Sequence, residues 1–333
     1  MITHGNKQIS EIVYARKASE GGGAVRLTNI IRGAQVVFGG LFLNFKDWLE
    51  KATMAAILAA FGQTDGKAVI KATNAYLNAL AATDPTKATA LAGFINEDPM
   101  LVCSLGIQPQ GVTMPIRWHR MVNGYWDTGL QVTMTNWNKI RYILDAVATT
   151  TNVGNSWFAN GIGGGSICGL HVGMNTGTSN YTSAPFTYAN GYNDVSLSNE
   201  MKGSYGKRYR WDFDLLHETY KVYDDTGTLI VNVAATLKAP TANNTSGGIT
   251  VGRWHKYNNI NSGSTHSADT RECLQYVDDE LVNWFVPFTR NGVFGMLNLM
   301  TNTFAAVSGT PEEKIGWWEN GSFIEWTPLN QTP

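Results

Sequence analysis

Asp212 and Asp214 stand two residues apart in YRWDFDLLHETYKVYDDTGTLIVNV, on the same side of any strand formed there. Two carboxyl groups about 5 Å apart are what retaining glycoside hydrolysis requires, one as nucleophile and one as acid and base. In this stretch Tyr209, Trp211, Phe213 and Leu215 alternate with the charged residues, so both aspartates are expected on the opposite, solvent-facing side. No catalytic residue is assigned. His119, His171, His217, His255 and His266 are scattered, with neither HxH nor HExxH spacing, so no zinc site is expected. Asp224-Asp225-Thr226-Gly227 has the letters of a weak Ca²⁺ loop and of a type I turn, and the turn is the expectation. GIGGGSICG, from Gly161 to Gly169, lacks the Lys-Ser/Thr and helix of a phosphate loop and reads as a strand connection. The expectation is therefore no cofactor and no metal.

Binding fares better than catalysis. Sugars are held by flat aromatic faces beside amides and hydroxyls, and YTSAPFTYANGYN and RWHKYNN offer both. Tyr188, Tyr192, Trp254 and Tyr257 are the candidates for a glycan site. Equally, loop aromatics of this kind bury at subunit contacts, so the same four are candidates for an interface.

These residues have to be carried by a packed chain, and the composition supports one. With 333 residues, 43% hydrophobic and 15% charged, the chain exceeds a single core and points to two or three domains. A formal net charge of −1 argues against broad capture of nucleic acid or anionic lipid. Cys103, Cys168 and Cys273 show no paired spacing and are expected as free buried thiols. There is no basic-then-apolar leader in the first thirty residues and no apolar run of about 18, so no membrane insertion is expected, and folding in a cytoplasm is. The 35 glycines fit a β-rich protein with long loops.

The chain divides into three segments and a tail. Residues 1–43 carry ISEIVYARKA and LTNIIRGAQVV around Gly21-Gly22-Gly23, which read as short β-hairpins that dock against something else. Residues 44–110 turn Ala-rich and read as four short helices. Asn44 and Thr64 or Asp65 open the first two, and Asp84-Pro85 and Asp98-Pro99 each read as N-cap and first helical residue. Val69, Ala72, Tyr76 and Leu80 are expected on one buried stripe. Residues 111–312 alternate with period two between Gly-, Ser- and Asn-rich loops. The clearest passage is a three-stranded meander from Tyr209 onward, and LVNWFVPFTRNGVFGMLNLMTNTF supplies the closing strands. Such a pattern predicts an antiparallel β-sandwich, with a C-terminal tail over 313–333.

The order NGYWDTGLQVT (Asn123 to Thr133), HETYKVYDDTGTLI (His217 to Ile230), ITVGRW (Ile249 to Trp254) and VPFTRNGVFGMLNLMTNTFAAVSGT (Val286 to Thr310) resembles the concanavalin A-like, laminin-G-like domain of many bacteriophage virion proteins. In that family a DTG-like segment begins the first strand, and a closing segment matches here at Val286, Pro287, Arg290, Gly292, Gly295, Met296 and Phe304. Asn298 stands where Asp is usual. The resemblance covers roughly residues 117–310. IIRGAQVVF is similar to N-terminal phrases of phage tail, baseplate and appendage proteins. Hydrolases on this fold carry an E-x-D-x-x-E or E-x-D-x-E pattern, and this chain has neither.

The resemblance implies a mainly β protein, a concanavalin A-like jelly roll preceded by hairpins and a short helical bundle. It also implies a non-enzymatic virion component: a head fibre, tail fibre or capsid decoration. The expected partners are other virion proteins, further copies of itself (a trimer, by analogy with fibres) and a host-surface glycan, with no nucleic acid. The place is the virion, after synthesis in the host cytoplasm. The alternatives are a carbohydrate-active enzyme or free lectin on the same fold, and a purely architectural collar or spacer.

Overall fold

Period-two alternation dominates from residue 116 onward, and among the described residues there the chain is mostly strand. The computed structural model describes residues 3–4, 7–8, 13–15, 24–26, 63–109, 113–149, 158–162, 166–174, 180–188, 192–193, 201–234, 248–252, 266–305 and 307–326. Two units share them: Met1–Met114 with Thr327–Pro333, and Pro115–Trp326.

In the first unit, β1 (Thr3–His4) pairs antiparallel with β2 (Lys7–Gln8), and β3 (Val13–Ala15) with β4 (Ala24–Arg26). Gly21-Gly22-Gly23, between β3 and β4 in the chain, lie outside the described residues. The phrase from Leu27 and the expected helix after Asn44 lie outside the described residues. Helix α1 (Gln63–Thr83) is separated by one residue from α2 (Pro85–Glu97). Asp84 caps α2 as expected: its Oδ1 accepts the Lys87 N–H at 2.9 Å, and Pro85, which has no N–H to lose, takes the first turn. Asp98 does two jobs. Its N–H bonds to the Phe94 carbonyl and ends α2, while its Oδ1 accepts from Met100 N, so α3 begins at Leu101 (Leu101–Ser104) rather than at Pro99.

The buried stripe of α1 contains Val69 as expected, but continues through Thr73, Leu77 and Ala81, each one residue beyond the expected Ala72, Tyr76 and Leu80; Ile70 is also buried, and Tyr76 is 37% exposed. A buried threonine in the stripe disguised its register. No described helix is long and apolar enough to cross a membrane.

The second unit is an antiparallel β-sandwich. Its strands are β5 (Ile116–Asp127), β6 (Ile140–Ala148), β7 (Phe158–Ile162), β8 (Ser166–Met174), β9 (Asn180–Tyr188), β10 (Tyr192–Asn193), β11 (Met201–Ser204) and β12 (Arg208–Asp214). They continue with β13 (Thr219–Tyr223), β14 (Leu229–Ala234), β15 (Thr250–Val251), β16 (His266–Val277), β17 (Glu280–Arg290), β18 (Val293–Asn298), β19 (Val307–Glu319) and β20 (Ser322–Glu325). The main path runs β10-β9-β8-β7-β15-β5-β16-β6-β12-β13-β14. It branches at β5, which also pairs β19, and at β16, whose second half also pairs β17. Branching lets the layers fold over one another. Met121, Trp126, Tyr142, Trp211, Phe285 and Met296 therefore meet in a single core, with the Trp126 and Phe285 rings 5.0 Å apart.

The expected meander is present as β12-β13-β14. The sheet does not end where the sequence pattern puts its end: residues beyond 312 form the rest of β19 and all of β20, and those after Trp326 lie outside the described residues. PEEK breaks the apolar alternation of β19. These charged residues lie opposite β5 instead (Glu312↔Arg120, Glu313↔His119), and Glu313 holds the buried Arg117 at 2.6 Å.

Several matched positions of the closing segment have a physical reason. Asn291 (φ 51°) and Gly292 (φ 77°) make the tight turn between β17 and β18. Gly295 lies under the Phe304 ring, which a Cβ would strike. Arg290 donates to the carbonyl and Oδ1 of Asn302 and ties down the loop after β18. Asn298 Oδ1 accepts from Trp284 N and Met300 N, and its Nδ2 donates to Asn283 Oδ1. Asn283 then donates to Gln275 Oε1, and Gln275 to Thr128 Oγ1. With this amide orientation, position 298 has to donate, which an amide does and an ionised carboxylate cannot.

Candidate functional site

On β12 the inward side carries Tyr209, Trp211 and Phe213, all in the core, and the outward side carries Arg208, Arg210, Asp212 and Asp214. Register places Arg210 opposite Asp145, Asp212 opposite Ile143 and Asp214 opposite Arg141 on β6. On the other flank lies β13 with Tyr223, and the turn to β14 overhangs it. Between them runs a groove of about 530 Å³. Its size is that of a small-molecule site.

Asp212 and Asp214 lie on the strand side that the alternation gives, but they do not face solvent: they are 4% and 6% exposed. Arg141 covers them. It holds Asp212 through two bonds, Nε–Oδ1 at 2.8 Å and Nη2–Oδ2 at 2.6 Å, and stands 3.7 Å from Asp214. Asp214 also closes the next turn, accepting from His217 N at 3.0 Å and pairing with its Nδ1 at 2.8 Å. That bond to Asp214, and after it the Asp214 charge, raises the His217 pKa. The twofold guanidinium clamp engages both carboxyl oxygens of Asp212.

The same pairing extends across the outward face. Asp145, fully buried, takes two bonds from Arg208 (2.7 and 2.6 Å) and a third from Arg271 at 2.9 Å. Burial pushes the Asp145 carboxyl up, but the bonds and charges of Arg208 and Arg271 outweigh it and bring its pKa below the usual carboxylate value. Arg210 donates through Nη1 to Glu272, which also accepts the Trp284 indole N–H. Elsewhere on the sheet, Arg120 clamps Asp269, and Trp318 donates to the same carboxylate. Arg120 lies over Trp318, Arg141 over Tyr276 and Arg208 over Trp118, at 5.4–5.9 Å. The result is a mosaic in which these buried charges have partners and these guanidinium faces have rings.

The Asp224-Asp225-Thr226-Gly227 turn forms the rim. Asp224 Oδ1 accepts from Thr226 N, Thr226 Oγ1 and Thr228 N, and Gly227 has φ 83°. These bonds, the Thr226 hydroxyl first, lower the Asp224 pKa. They are the bonds of a turn.

Of the four aromatic candidates, Tyr188 ends β9 and Tyr192 begins β10, and the two are paired in register. They stand at the opposite end of the strand order from β13. Trp254 and Tyr257 lie outside the described residues. The groove's own residues, Arg141, Arg208, Arg210 and Tyr223, escaped the sequence reading. RYRWDFD held the signal, since two arginines and two aspartates on one strand side imply an ion-paired face rather than a solvated one.

No protein-family model matches the chain, and neither does any curated protein. Among solved structures, the chain is similar to a native heptameric SAP-like pentraxin from Limulus polyphemus, at 11% identity over 61% of this chain and 90% of that one, with a TM-score of 0.29. It is also similar to the CBM40 of the Ruminococcus gnavus IT-sialidase, at 14% identity over 51% of this chain and 95% of that one, with a TM-score of 0.26.

Proposed function

We propose that this chain is a non-enzymatic bacteriophage structural protein, a head fibre, tail fibre or decoration, whose sandwich binds a host-surface glycan or other virion proteins. The virion role is supported by the closing segment from Val286 to Phe304 and by the short N-terminal hairpins. The binding role is supported by one observation above the rest: the carboxylates beside the groove, Asp145, Asp212 and Glu272, are each held by an arginine. Groups held in this way are fixed in position and can orient a ligand. Repeated copies on a particle would turn a weak site into firm attachment.

The test has two arms. Peptides of this chain found in purified particles support the virion role, and their absence from particles overturns it. Purified full-length protein is then incubated with an array of oligosaccharides. Retention without release of new reducing ends supports the binding role, whereas release that Asp212→Asn or Asp214→Asn abolishes would make the protein a hydrolase.

A further inference from the structure

The groove between β6, β12 and β13 also carries information about the chemistry of its occupant. Its walls bring three arginines (Arg141, Arg208, Arg210) against three aspartates (Asp212, Asp224, Asp225). The groups immediately behind them, Asp145, Glu272 and Arg271, add one further negative charge. An anionic ligand would find no positive field here, in spite of the arginines.

The geometry of the guanidinium edges agrees. A carboxylate or phosphate is best held by two parallel N–H bonds from one arginine. Arg141 and Arg208 have already used their Nε and Nη2 edges on Asp212 and Asp145. Arg210, 37% exposed, is bonded to Glu272 through Nη1. The groove is left with separated single donors beside carboxyl acceptors, on one strand side with the ring of Tyr223 next to it. Separated donors and acceptors around an aromatic edge match neighbouring hydroxyl groups, each of which both gives and takes a hydrogen bond.

We propose that this groove is a site for an uncharged, hydroxyl-rich glycan segment, seated beside Tyr223 with its hydroxyls bridging Arg210, Arg141 and Asp212. The assignment rests on the glycan-binding arm of the function proposed above, and its ligand class and place are new. Neither depends on the loop aromatics.

The experiment uses full-length protein and immobilised neutral oligosaccharides, alongside the same cores bearing sialic or uronic acid, at about 50 and about 500 mM NaCl. Neutral cores are expected to bind, with affinity changing less than about twofold between the two salts. Tyr223→Ala and Arg210→Gln are each expected to weaken binding at least about tenfold, a difference of about 1.4 kcal/mol. Both residues are partly exposed, so the melting temperature should hold, and Tyr223→Phe should keep most of the affinity. Selective capture of acidic glycans, weakening with salt, overturns the ligand class and leaves glycan binding standing. Neutral binding that survives both variants overturns the site and again leaves the function. A folded protein that retains no glycan overturns both.

Discussion

The two sides of β12 bury their side chains by opposite means. Inward, Trp211 and Phe213 disappear into a core of aromatic and aliphatic groups. Outward, Asp212 and Asp214 are nearly as hidden, at 4% and 6% exposure, yet their cover is the Arg141 guanidinium. The inward side is stabilised by removing apolar surface from water, at about 25 cal/mol per Å². The outward side gains little net energy, because each ion loses its hydration, but it punishes the loss of any one partner. One side sets how stable the sandwich is, and the other fixes the positions of polar groups at the groove.

Breaking the inward side should cost most. Trp211→Ala removes a fully buried ring and is expected to lower stability by about 3–5 kcal/mol in a urea titration. A loss under about 1 kcal/mol would mean that this core is looser than its burial implies. Next comes the outward side. Asp145→Ala leaves Arg208 and Arg271 without their shared carboxylate and should cost about 2–3 kcal/mol, below a fully buried pair because Arg208 retains 22% exposure. Removing Arg208 as well, as Asp145→Leu with Arg208→Met, should restore part of that loss.

His119 on β5 sharpens the comparison, because it is buried like Asp145 and has no partner: neither ring nitrogen has a hydrogen bond, and the ring stacks 5.4 Å from Phe294. Burial holds its pKa down to about 3. The unfolded chain therefore takes up a proton near pH 6.5 while the folded chain does not. The stability this site contributes is complete above that pH. It should fall by about 1.4 kcal/mol for each pH unit below it, down to about pH 3. His119→Phe should flatten that part of the stability curve, and an unchanged slope would remove His119 as its source. The smallest effect belongs to Lys139 and Asp278, paired at 3.0 Å with 44% and 57% exposure. Lys139→Ala should change stability by less than about 0.5 kcal/mol, since an exposed pair is screened.

The parts of this fold that could be read from the sequence were those written in local chemistry. The Asp84-Pro85 cap and the β12-β13-β14 meander each depend on residues close together in the chain. The parts that could not be read depended on distant partners. Glu312, Glu313 and Lys314 look like the start of a tail until β5 places Arg117 and His119 beside them. Asp212 and Asp214 look solvated until Arg141, roughly seventy positions earlier, reaches over them. The groove is legible only in part: RYRWDFD signals an ion-paired strand face, but Arg141 and Tyr223 are not distinctive until strand pairing gathers them. The aromatic candidates rest on rings beside amides and hydroxyls in Tyr181 to Asn193 and Arg253 to Asn259, and strand pairing sets Tyr188 opposite Tyr192.

The chain of side-chain amides from Asn298 through Asn283 and Gln275 to Thr128 works as a key for alignment. If β17 slid by two residues against its neighbours, every inward side chain would still point inward, and an oily interior would tolerate the error. The amides would not, since each would then face carbon instead of its mate. The protein thus carries, within its greasiest layer, a polar check that admits one alignment of β16, β17 and β18 and rejects the near misses.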